Sequence, residues 1–400
     1  MVCTGIQRKP VASPILRGGS RWWLTAKSLL IDSGAALCFV SSRLSQAFTQ
    51  SYKDKMYQHN VWLKGLLMLS MAMAPAFAGP APTSPATAST SSSSLTSTAS
   101  NSTKRIVQYY GSPLEASHHV HIAQLVNSSR PIYATNVLFG TFTILDNNTM
   151  KITTGEASVW KSDDPALDWA WSEMREVQQA GVAVSMFLRA GFHLLNNDTT
   201  FDARYAPLHD LLTRRKFDGI DLDIENDAIT LNTTVKLIRR LRADFGAGFV
   251  ITLAPVATAL AGGINLSQFS YTALEKQVGD DIAWYNAQFY GTGGLTIDAF
   301  DAVVSNGWDP ARFTIGMASS PDFQTGTFPL SDLHAVFANI TAKHPRVRGM
   351  AGFDYYDQCP GGWSAPWQWP IWAAVQLGIA PANATQSFQQ SIQSCGANRV

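Results

Sequence analysis

The sequence predicts a single (β/α)8 barrel, a parallel sheet of eight strands closed on itself and surrounded by helices. Eight short apolar runs with strand composition recur from Lys104 onward, and helical patterns lie between them. This regular alternation implies a parallel sheet, and eight such units suit a barrel. A doubly wound open sheet is the alternative, but it would need a glycine-rich turn after its first strand. The stretch "QYYGSPLEAS" at that position has no G-x-G-x-x-G motif.

The predicted strands are short runs rich in β-branched and aromatic residues. They span residues 105–111, 134–144, 182–191, 217–225, 249–257, 282–291, 313–320 and 347–357. Each strand is expected to be followed by a helix. Apolar residues at helical spacing are clearest in residues 165–180, 233–246, 330–343 and 370–378. The barrel domain is therefore predicted over residues 104–380, with a C-terminal tail over residues 381–400.

The composition is typical of a globular protein with a substantial core. Hydrophobic residues make up 46% of the 400-residue chain and charged residues 15%, which is unlike a disordered protein. The formal net charge is +1, so nothing in the composition indicates a nucleic-acid partner.

The N-terminal part has the layout of a secretory signal peptide. Residues 56–78 combine Lys64, a short apolar core and a small-residue cleavage site at Ala76-Phe77-Ala78. The apolar core is too short for a membrane anchor, which needs about 20 residues. Because this signal lies far from the first residue, we hypothesise that translation starts at Met56. Residues 1–55 would then be a spurious or unstructured extension.

A Ser/Thr/Pro-rich segment, residues 79–103, is predicted to form a flexible linker between the signal peptide and the barrel. N-x-S/T triplets recur along the chain, as expected for a secreted, N-glycosylated protein. No membrane association is expected once the signal peptide has been cleaved. They begin at Asn101, Asn127, Asn147, Asn197, Asn232, Asn265, Asn339 and Asn383.

Two cysteines remain in the predicted mature chain. Cys3 and Cys38 precede the cleavage point, which leaves Cys359 and Cys395. In an oxidising compartment these two are expected to form one disulfide, and two buried thiols are the alternative. Two cysteines without a nearby histidine do not make a metal site, and no metal or cofactor is expected.

The stretch "KFDGIDLDIEN" places alternating acids in a strand that otherwise looks buried. Because side chains alternate along a strand, Asp221, Asp223 and Glu225 share one face, and the intervening aliphatic residues share the other. In a barrel the aliphatic residues pack outward on helices, so the acids point inward. Glu225 is then expected at the carboxyl end of its strand, where the active sites of barrel enzymes lie.

Clustered carboxyl groups raise one another's pKa, so at least one of the three acids is expected to hold a proton. A carboxyl group that stays protonated near neutral pH can act as a general acid. A Ca²⁺ or Mg²⁺ cage is the alternative, since these cations prefer carboxylate ligands.

The predicted sixth strand also carries polar residues on one face of an otherwise apolar strand. Asn286, Gln288 and Tyr290 share one face, opposite a face formed by tyrosine, alanine and phenylalanine. A polar stripe in a parallel-sheet strand is unexpected unless it lines a site.

The octapeptide from Asp218 to Glu225 resembles the D-G-x-D-x-D-x-E signature of glycoside hydrolase family 18. The stretches "RLRADFGAGFVITLAPVATAL", "NLSQFSYTALEKQ", "DIAWYNAQFYG" and "PGGWSAPWQWP" are similar to fungal secreted members of that family. These members include endo-β-N-acetylglucosaminidases that act on N-glycans, and chitinase-like relatives. The resemblance covers residues 104–378 and implies a barrel hydrolase.

The resemblance implies a role for each acid. Glu225 matches the acid that protonates the departing glycosidic oxygen, while the substrate's own 2-acetamido carbonyl is the nucleophile. Asp223 matches the residue that hydrogen-bonds the acetamide N–H, and Asp221 matches its inner partner. Asp218 has the other strand parity and is expected, with Gly219, to support the strand.

The resemblance also implies the sugar-binding residues. Tyr290 matches the tyrosine that hydrogen-bonds the acetamide oxygen. Asn286 and Gln288 are expected to line the same −1 subsite. Tyr109 and Phe353 are expected to offer aromatic faces to the sugar.

Three positions depart from the family pattern. Arg189 stands where a small residue is usual at the end of the third strand. Gly291 follows Tyr290 where asparagine is common. Phe353 stands where the eighth strand usually supplies a tryptophan. These departures leave the acids intact and bear on sugar affinity, rate and specificity.

Two aromatic clusters have competing interpretations. His118, His119 and His121 have a spacing that can bind zinc, but a solvated loop is favoured because no acid or cysteine stands at ligand spacing. The three tryptophans of the C-terminal region could form a sugar-stacking platform, and closure of the barrel base is at least as well supported. They are Trp363, Trp367 and Trp369.

The resemblance implies a retaining glycosidase for β-1,4 linkages of N-acetylglucosamine, and the signal peptide implies that it is secreted. The resemblance favours endo-β-N-acetylglucosaminidase action on the chitobiose core of N-glycans, and the lack of a visible chitin-binding module also favours a soluble glycan over an insoluble polymer. Chitinase action on chitin or its oligomers and a catalytically weak sugar-binding protein are the alternatives. The predicted partners are N-acetylglucosamine-containing glycans, and the protein is expected to be a monomer.

Overall fold

The computed structural model describes residues 104–395, apart from residues 112, 116–117, 128, 155–157, 226, 292–293 and 320–329. The predicted N-terminal extension, signal peptide and linker lie outside the described residues.

Eight parallel strands close into the predicted barrel. Each strand pairs with its neighbours in sequence, and the first strand pairs with both the second and the last, which closes the ring. The fold class and all eight predicted strands are confirmed. The strands are β1 (Arg105–Tyr110), β2 (Asn136–Ile144), β3 (Ala183–Ala190), β4 (Gly219–Leu222), β5 (Val250–Leu253), β6 (Trp284–Gln288), β7 (Phe313–Ala318) and β8 (Gly349–Phe353).

Helices surround the barrel and follow each strand from β2 onward. They are α1 (Asp168–Gln179), α2 (Phe201–Arg215), α3 (Leu231–Phe245), α4 (Ala257–Leu260), α5 (Tyr271–Val278), α6 (Ile297–Ser305), α7 (Leu330–Lys343), α8 (Gln368–Gln376) and α9 (Gln389–Ser394). Within the described parts of the chain, none of these is long and apolar enough to span a bilayer.

The connection after β1 differs from the prediction of a helix after every strand. Its described residues form a short antiparallel ribbon, in which Leu114–Glu115 pairs with His118–His119, and a 3-10 helix, Ile122–Val126. The apolar run ends at Asn127, and Pro131 follows, which has no backbone N–H to continue a helix. A second unpredicted feature is an antiparallel ribbon after β2, in which Met150–Thr154 pairs with β2 and with Ser158–Lys161.

Helix α3 illustrates how the sequence determines where a helix begins, which face it buries and where it ends. The hydroxyl of Thr230 accepts the backbone N–H of Thr233 at 3.1 Å and caps the first turn. Ile238 and Leu241 are buried on the face towards the barrel. The helix ends before Gly246, whose φ of 77° is favourable only for glycine.

Strand alternation divides the barrel into an outer and an inner core. The outward face of β4 contributes Ile220, Leu222 and nearby Ile224 to the large apolar layer under the helices. A smaller apolar group fills the barrel interior and includes Tyr109 and Trp284. The two faces predicted for this stretch are therefore confirmed, and the acids face the interior.

The predicted disulfide between Cys359 and Cys395 is present, with their Cα atoms 5.8 Å apart. It joins the loop after β8 to the residue that follows α9. The described part of the predicted C-terminal tail forms a 3-10 helix, Ala382–Phe388, and then α9. Phe388 is buried, so this segment packs on the barrel domain.

Candidate active site

The inward-facing acids gather at the carboxyl end of β4. Regular pairing of β4 ends at Leu222, although the Asp223 N–H still donates to the Leu188 carbonyl at 2.9 Å. The predicted strand, residues 217–225, began two residues too early and ended three residues too late. Glu225 consequently lies in the loop at the mouth of the barrel, with 23% of its side chain exposed.

Asp221 is fully buried and accepts hydrogen bonds from three strands. Thr252 Oγ1 and Asn286 Nδ2 donate to Oδ1 at 2.5 and 3.0 Å, and the Tyr109 hydroxyl donates to Oδ2 at 3.1 Å. Burial raises the pKa of Asp221 to about 6, and the three hydrogen bonds limit this rise. Because its oxygens are occupied, Asp221 organises the site from below.

The amide of Asn286 has a fixed orientation. Its Oδ1 accepts the indole N–H of Trp284 and the hydroxyl of Thr314, both at 2.9 Å. The amide N–H group must therefore face Asp221, which lies 3.0 Å away.

Gln288 connects the two outer acids. Its Nε2 donates to Asp223 Oδ1 at 3.2 Å, to Glu225 Oε1 at 3.0 Å and to the Ala254 carbonyl at 2.8 Å. Burial raises the pKa of Asp223 well above its usual range, and the charge of Glu225 raises it further. These effects favour the protonated form of Asp223, and Gln288 fixes its position beside Glu225.

Arg189 approaches the same acids from β3. Its Nε lies 3.6 Å from Asp223 Oδ2, and its Nη2 lies 3.6 Å from Glu225 Oε2. The Arg189 side chain is 51% exposed, whereas Asp223 is buried. The guanidinium therefore lies between the acids and solvent.

Aromatic rings complete the wall of the site. The rings of Tyr290 and Phe353 are nearly parallel, at 7°, with centroids 6.3 Å apart. Tyr109 contacts Phe353 edge-on at 5.7 Å. Burial, followed by the charges of Asp223 and Glu225, raises the pKa of the Tyr290 hydroxyl well above its usual range. This hydroxyl is therefore a hydrogen-bond donor at any physiological pH.

Asp218 and Gly219 lie outside this interior group. Asp218 Oδ2 accepts the Val184 N–H at 2.7 Å and the Gln178 side-chain N–H at 2.8 Å, which ties β4 to β3 and α1. A Cβ atom at Gly219 would lie 2.2 Å from the Val250 carbonyl oxygen, so only glycine fits there. The structure separates these two residues from the three inner acids.

Hydrogen bonds hold the chain on both sides of Glu225. Asp227 accepts the backbone N–H groups of Phe192 and His193 at 2.8 and 2.9 Å. The hydroxyl of Ser267 donates to the Ile224 carbonyl at 2.7 Å. These contacts fix the backbone on which Glu225 is carried.

Three residues of the site were missed in the sequence: Trp284, Thr252 and Thr314. Each orients an acid or amide directly. The two threonines carried a signal, because each is a polar residue at an inward position of an otherwise apolar strand.

The histidine cluster is used for packing. His119 stacks on Trp169 with ring centroids 4.3 Å apart, and His121 pairs with Glu173. The His118 side chain lies outside the described residues. No group of His, Cys, Asp and Glu side chains in the described ranges is arranged to hold a metal ion.

The three tryptophans do not form one platform. Trp369 is fully buried, and Trp367 lies under the Arg130 guanidinium at 3.7 Å. Trp363 is 57% exposed on the loop after β8.

Comparison with known proteins identifies similar folds and sequences, although no protein-family profile matches the chain. A fungal endo-β-N-acetylglucosaminidase from glycosyl hydrolase family 18 is 31% identical with a TM-score of 0.63, over 68% of this chain and 98% of that one. The chitinase ChiC from Aspergillus fumigatus is 30% identical with a TM-score of 0.60, over 69% of this chain and 100% of that one. Endochitinase 37 from Trichoderma harzianum is 28% identical over 137 residues, which are 30% of this chain and 40% of that protein.

Proposed function

The chain belongs to glycoside hydrolase family 18, and from that premise we propose that it is a secreted, retaining glycosidase that cleaves β-1,4 linkages of N-acetylglucosamine. Its proposed substrate is the chitobiose core of N-glycans. The observation that carries this proposal is the graded burial of the three acids. Asp221 is fully buried, Asp223 is 5% exposed, and Glu225 reaches the mouth of the barrel.

The graded burial supports Glu225 as the proposed proton donor. Glu225 is the acid whose side chain is partly exposed, so it can reach a glycosidic oxygen. In the first step the Glu225 carboxyl gives its proton to that oxygen as the C1–O bond breaks. The carbonyl oxygen of the substrate's 2-acetamido group bonds to C1 from the opposite face, which forms an oxazolinium ion.

Asp223 and Tyr290 hold the acetamide for this attack. Asp223 accepts the acetamide N–H and balances the positive charge that develops on the oxazolinium. Asp221 lies deeper in the barrel, and its charge contributes to raising the pKa of Asp223. The Tyr290 hydroxyl donates to the acetamide oxygen and aligns it with C1.

The second step restores the enzyme. Glu225, now a carboxylate, takes a proton from a water molecule as the water oxygen bonds to C1. The bond between C1 and the acetamide oxygen breaks, and the acetamide is regenerated. Two displacements at C1 leave the sugar with its original configuration.

Chitinase action is the second candidate. It is supported by the similarity to the Aspergillus fumigatus chitinase and to the Trichoderma harzianum endochitinase. Both substrates place an N-acetylglucosamine ring in the same −1 position. The acids therefore serve either reaction, and the sugars beyond that ring decide between the two.

A side-by-side assay tests the proposal. The purified protein is incubated with a high-mannose glycoprotein and, separately, with a chitin hexamer, and the products are identified by mass. A single N-acetylglucosamine left on asparagine supports the first candidate. Release of chitobiose from the hexamer alone supports chitinase action. Sugar binding without either product would overturn hydrolysis and support a sugar-binding protein.

Secretion and glycosylation form part of the same proposal. Six asparagines that begin N-x-S/T triplets are exposed on the barrel domain, as oligosaccharyltransferase requires. They are Asn127, Asn147, Asn197, Asn232, Asn339 and Asn383. The disulfide between Cys359 and Cys395 also suits an oxidising compartment.

A further inference from the structure

Arg189 and Gln288 contact the two outer acids, Asp223 and Glu225, from opposite sides. Gln288 donates to one oxygen of each carboxyl group, Asp223 Oδ1 and Glu225 Oε1. The Arg189 guanidinium lies 3.6 Å from the other oxygen of each, Asp223 Oδ2 and Glu225 Oε2. The arrangement spans β3, β4 and β6, and every carboxyl oxygen of the pair has a partner.

The two contacting side chains differ in charge. Gln288 is neutral, whereas Arg189 places a full positive charge beside both acids. The other titratable groups facing the pair are Asp221 on β4, Tyr290 after β6, Tyr109 on β1 and Tyr271 on α5. The three tyrosines keep their protons, so among the described residues around the pair Arg189 is the group that offsets the negative charge.

The effect of Arg189 is reciprocal. Partial burial lowers the pKa of Arg189, but the charges of Asp223 and Glu225 outweigh that effect and raise it. By the same interaction, Arg189 favours the ionised form of Asp223 and offsets part of the rise in its pKa that burial and Glu225 cause. A general acid needs the opposite, since it must carry a proton when the substrate binds.

We propose that Arg189 is a positioning residue whose charge opposes protonation of the Asp223–Glu225 pair and thereby limits hydrolysis to more acidic solution. The consequence for hydrolysis rests on the proposed function. Protonation of the pair weakens the contact with Arg189 and leaves Glu225 able to act as the acid. The contact can be broken because it is 3.6 Å long and half exposed to solvent.

The first test is the pH profile of kcat/KM from pH 3 to 9 for the wild type, Arg189→Met and Arg189→Lys. Arg189→Met keeps the length of the side chain and removes its charge. Its alkaline limb should move to higher pH by about one unit, because a cation near a carboxylate shifts its protonation by about 1–3 units and solvent screens this one. Arg189→Lys, which keeps the charge, should move the limb less.

The matched control is Arg214→Met on α2, where an arginine with 44% of its side chain exposed pairs with Asp210. It should leave the pH profile unchanged. An alkaline limb that stays in place in Arg189→Met, with kcat/KM lowered equally at every pH, would overturn the proposal. That outcome would make Arg189 an ordinary sugar contact.

A second measurement does not depend on hydrolysis. The melting temperatures of the wild type and Arg189→Met are compared at pH 4 and pH 8. Loss of the cation should cost more stability at pH 8 than at pH 4, because the attraction between Arg189 and the carboxyl groups grows as they lose protons. A wild type that hydrolyses neither substrate would defeat the proposed function, and this difference would then decide the proposal about Arg189. A difference that is the same at both pH values would overturn it.

Discussion

The side-chain amide of Gln288 donates to Glu225 Oε1 at 3.0 Å, so the candidate proton donor is held by a strand other than the one that carries it. Glu225 follows β4, and Gln288 ends β6. Position and orientation of the acid therefore come from different parts of the barrel. This division makes it possible to test the acid and its support separately.

Glu225→Gln should abolish hydrolysis and preserve the fold. An amide cannot give a proton to the leaving oxygen, while its shape allows the contact with Gln288 to persist. The measurement is kcat on both glycan substrates, together with the melting temperature. The matched control is Glu176→Gln at an exposed position of α1, which should retain full activity. Activity of Glu225→Gln near that of the wild type would remove Glu225 from the mechanism.

Gln288→Leu should lower kcat/KM about a hundredfold, the order of loss expected when a catalytic group is misplaced by about 1 Å. Leucine fills a similar space and cannot donate to Asp223, Glu225 or the Ala254 carbonyl. The control is Gln179→Leu at the exposed end of α1. If Gln288→Leu stays within threefold of the wild type, Arg189 alone is sufficient to orient the acids.

The sequence was most informative where strand alternation decides the answer. It placed Asp221 and Asp223 inside the barrel and Ile220 and Leu222 outside, because a period of two leaves no third possibility. It predicted the strand itself too long, since the point at which pairing ends depends on neighbouring strands. The role of Thr252 could not be predicted, because only the register between β4 and β5 brings it opposite Asp221.

The connection after β1 shows a different limit. Apolar spacing predicts helices where the pattern is long, as in α3, but the run from Ile122 to Val126 supports only a 3-10 turn. Arg189 was recognised as a departure from the family pattern. Its contact with two acids at once depends on the direction of a long side chain across the barrel, which spacing along the chain does not encode.

Tyr290→Phe should separate the contribution of the Tyr290 hydroxyl to catalysis from that of its ring. Phenylalanine keeps the nearly parallel arrangement with Phe353 and loses the donor to the acetamide oxygen. We expect kcat to decrease by about tenfold to a hundredfold with little change in KM, because the bond is strongest in the transition state. Phe353→Ala should show the opposite pattern, with KM affected more than kcat. Full kcat in Tyr290→Phe would show that another group aligns the acetamide.

Asn265 should remain unglycosylated, unlike the exposed asparagines of the barrel domain. Its side-chain N–H donates to the Phe269 carbonyl, and its Oδ1 accepts the Ser267 N–H at 2.9 Å. The amide nitrogen that would receive the glycan is thus engaged within the fold. Peptide mass spectrometry of the protein secreted from a eukaryotic host measures occupancy at each site. High occupancy at Asn265 would mean that the glycan is attached before this loop forms its contacts.

Asp221→Asn should change how stability depends on pH. In the unfolded chain an aspartate titrates near pH 3.9, whereas burial raises the pKa of Asp221 to about 6 in the folded protein. Between these values the folded state binds more protons than the unfolded state. Proton binding at Asp221 therefore contributes about 3 kcal/mol to the free energy of unfolding. This contribution is fully present below about pH 4 and is lost as the pH rises through about 6.

The asparagine variant does not titrate and can keep the network around position 221. Its Oδ1 can accept from Thr252 and Asn286, and its Nδ2 can donate to the Tyr109 hydroxyl oxygen. Urea unfolding at pH 4, 5, 6 and 7 should therefore show the variant gaining stability relative to the wild type by about 3 kcal/mol over this range. Asp210→Asn, at an exposed position of α2, should show no such trend. A constant difference between Asp221→Asn and the wild type would mean that Asp221 stays ionised from pH 4 to 7, and that its three donors outweigh its burial.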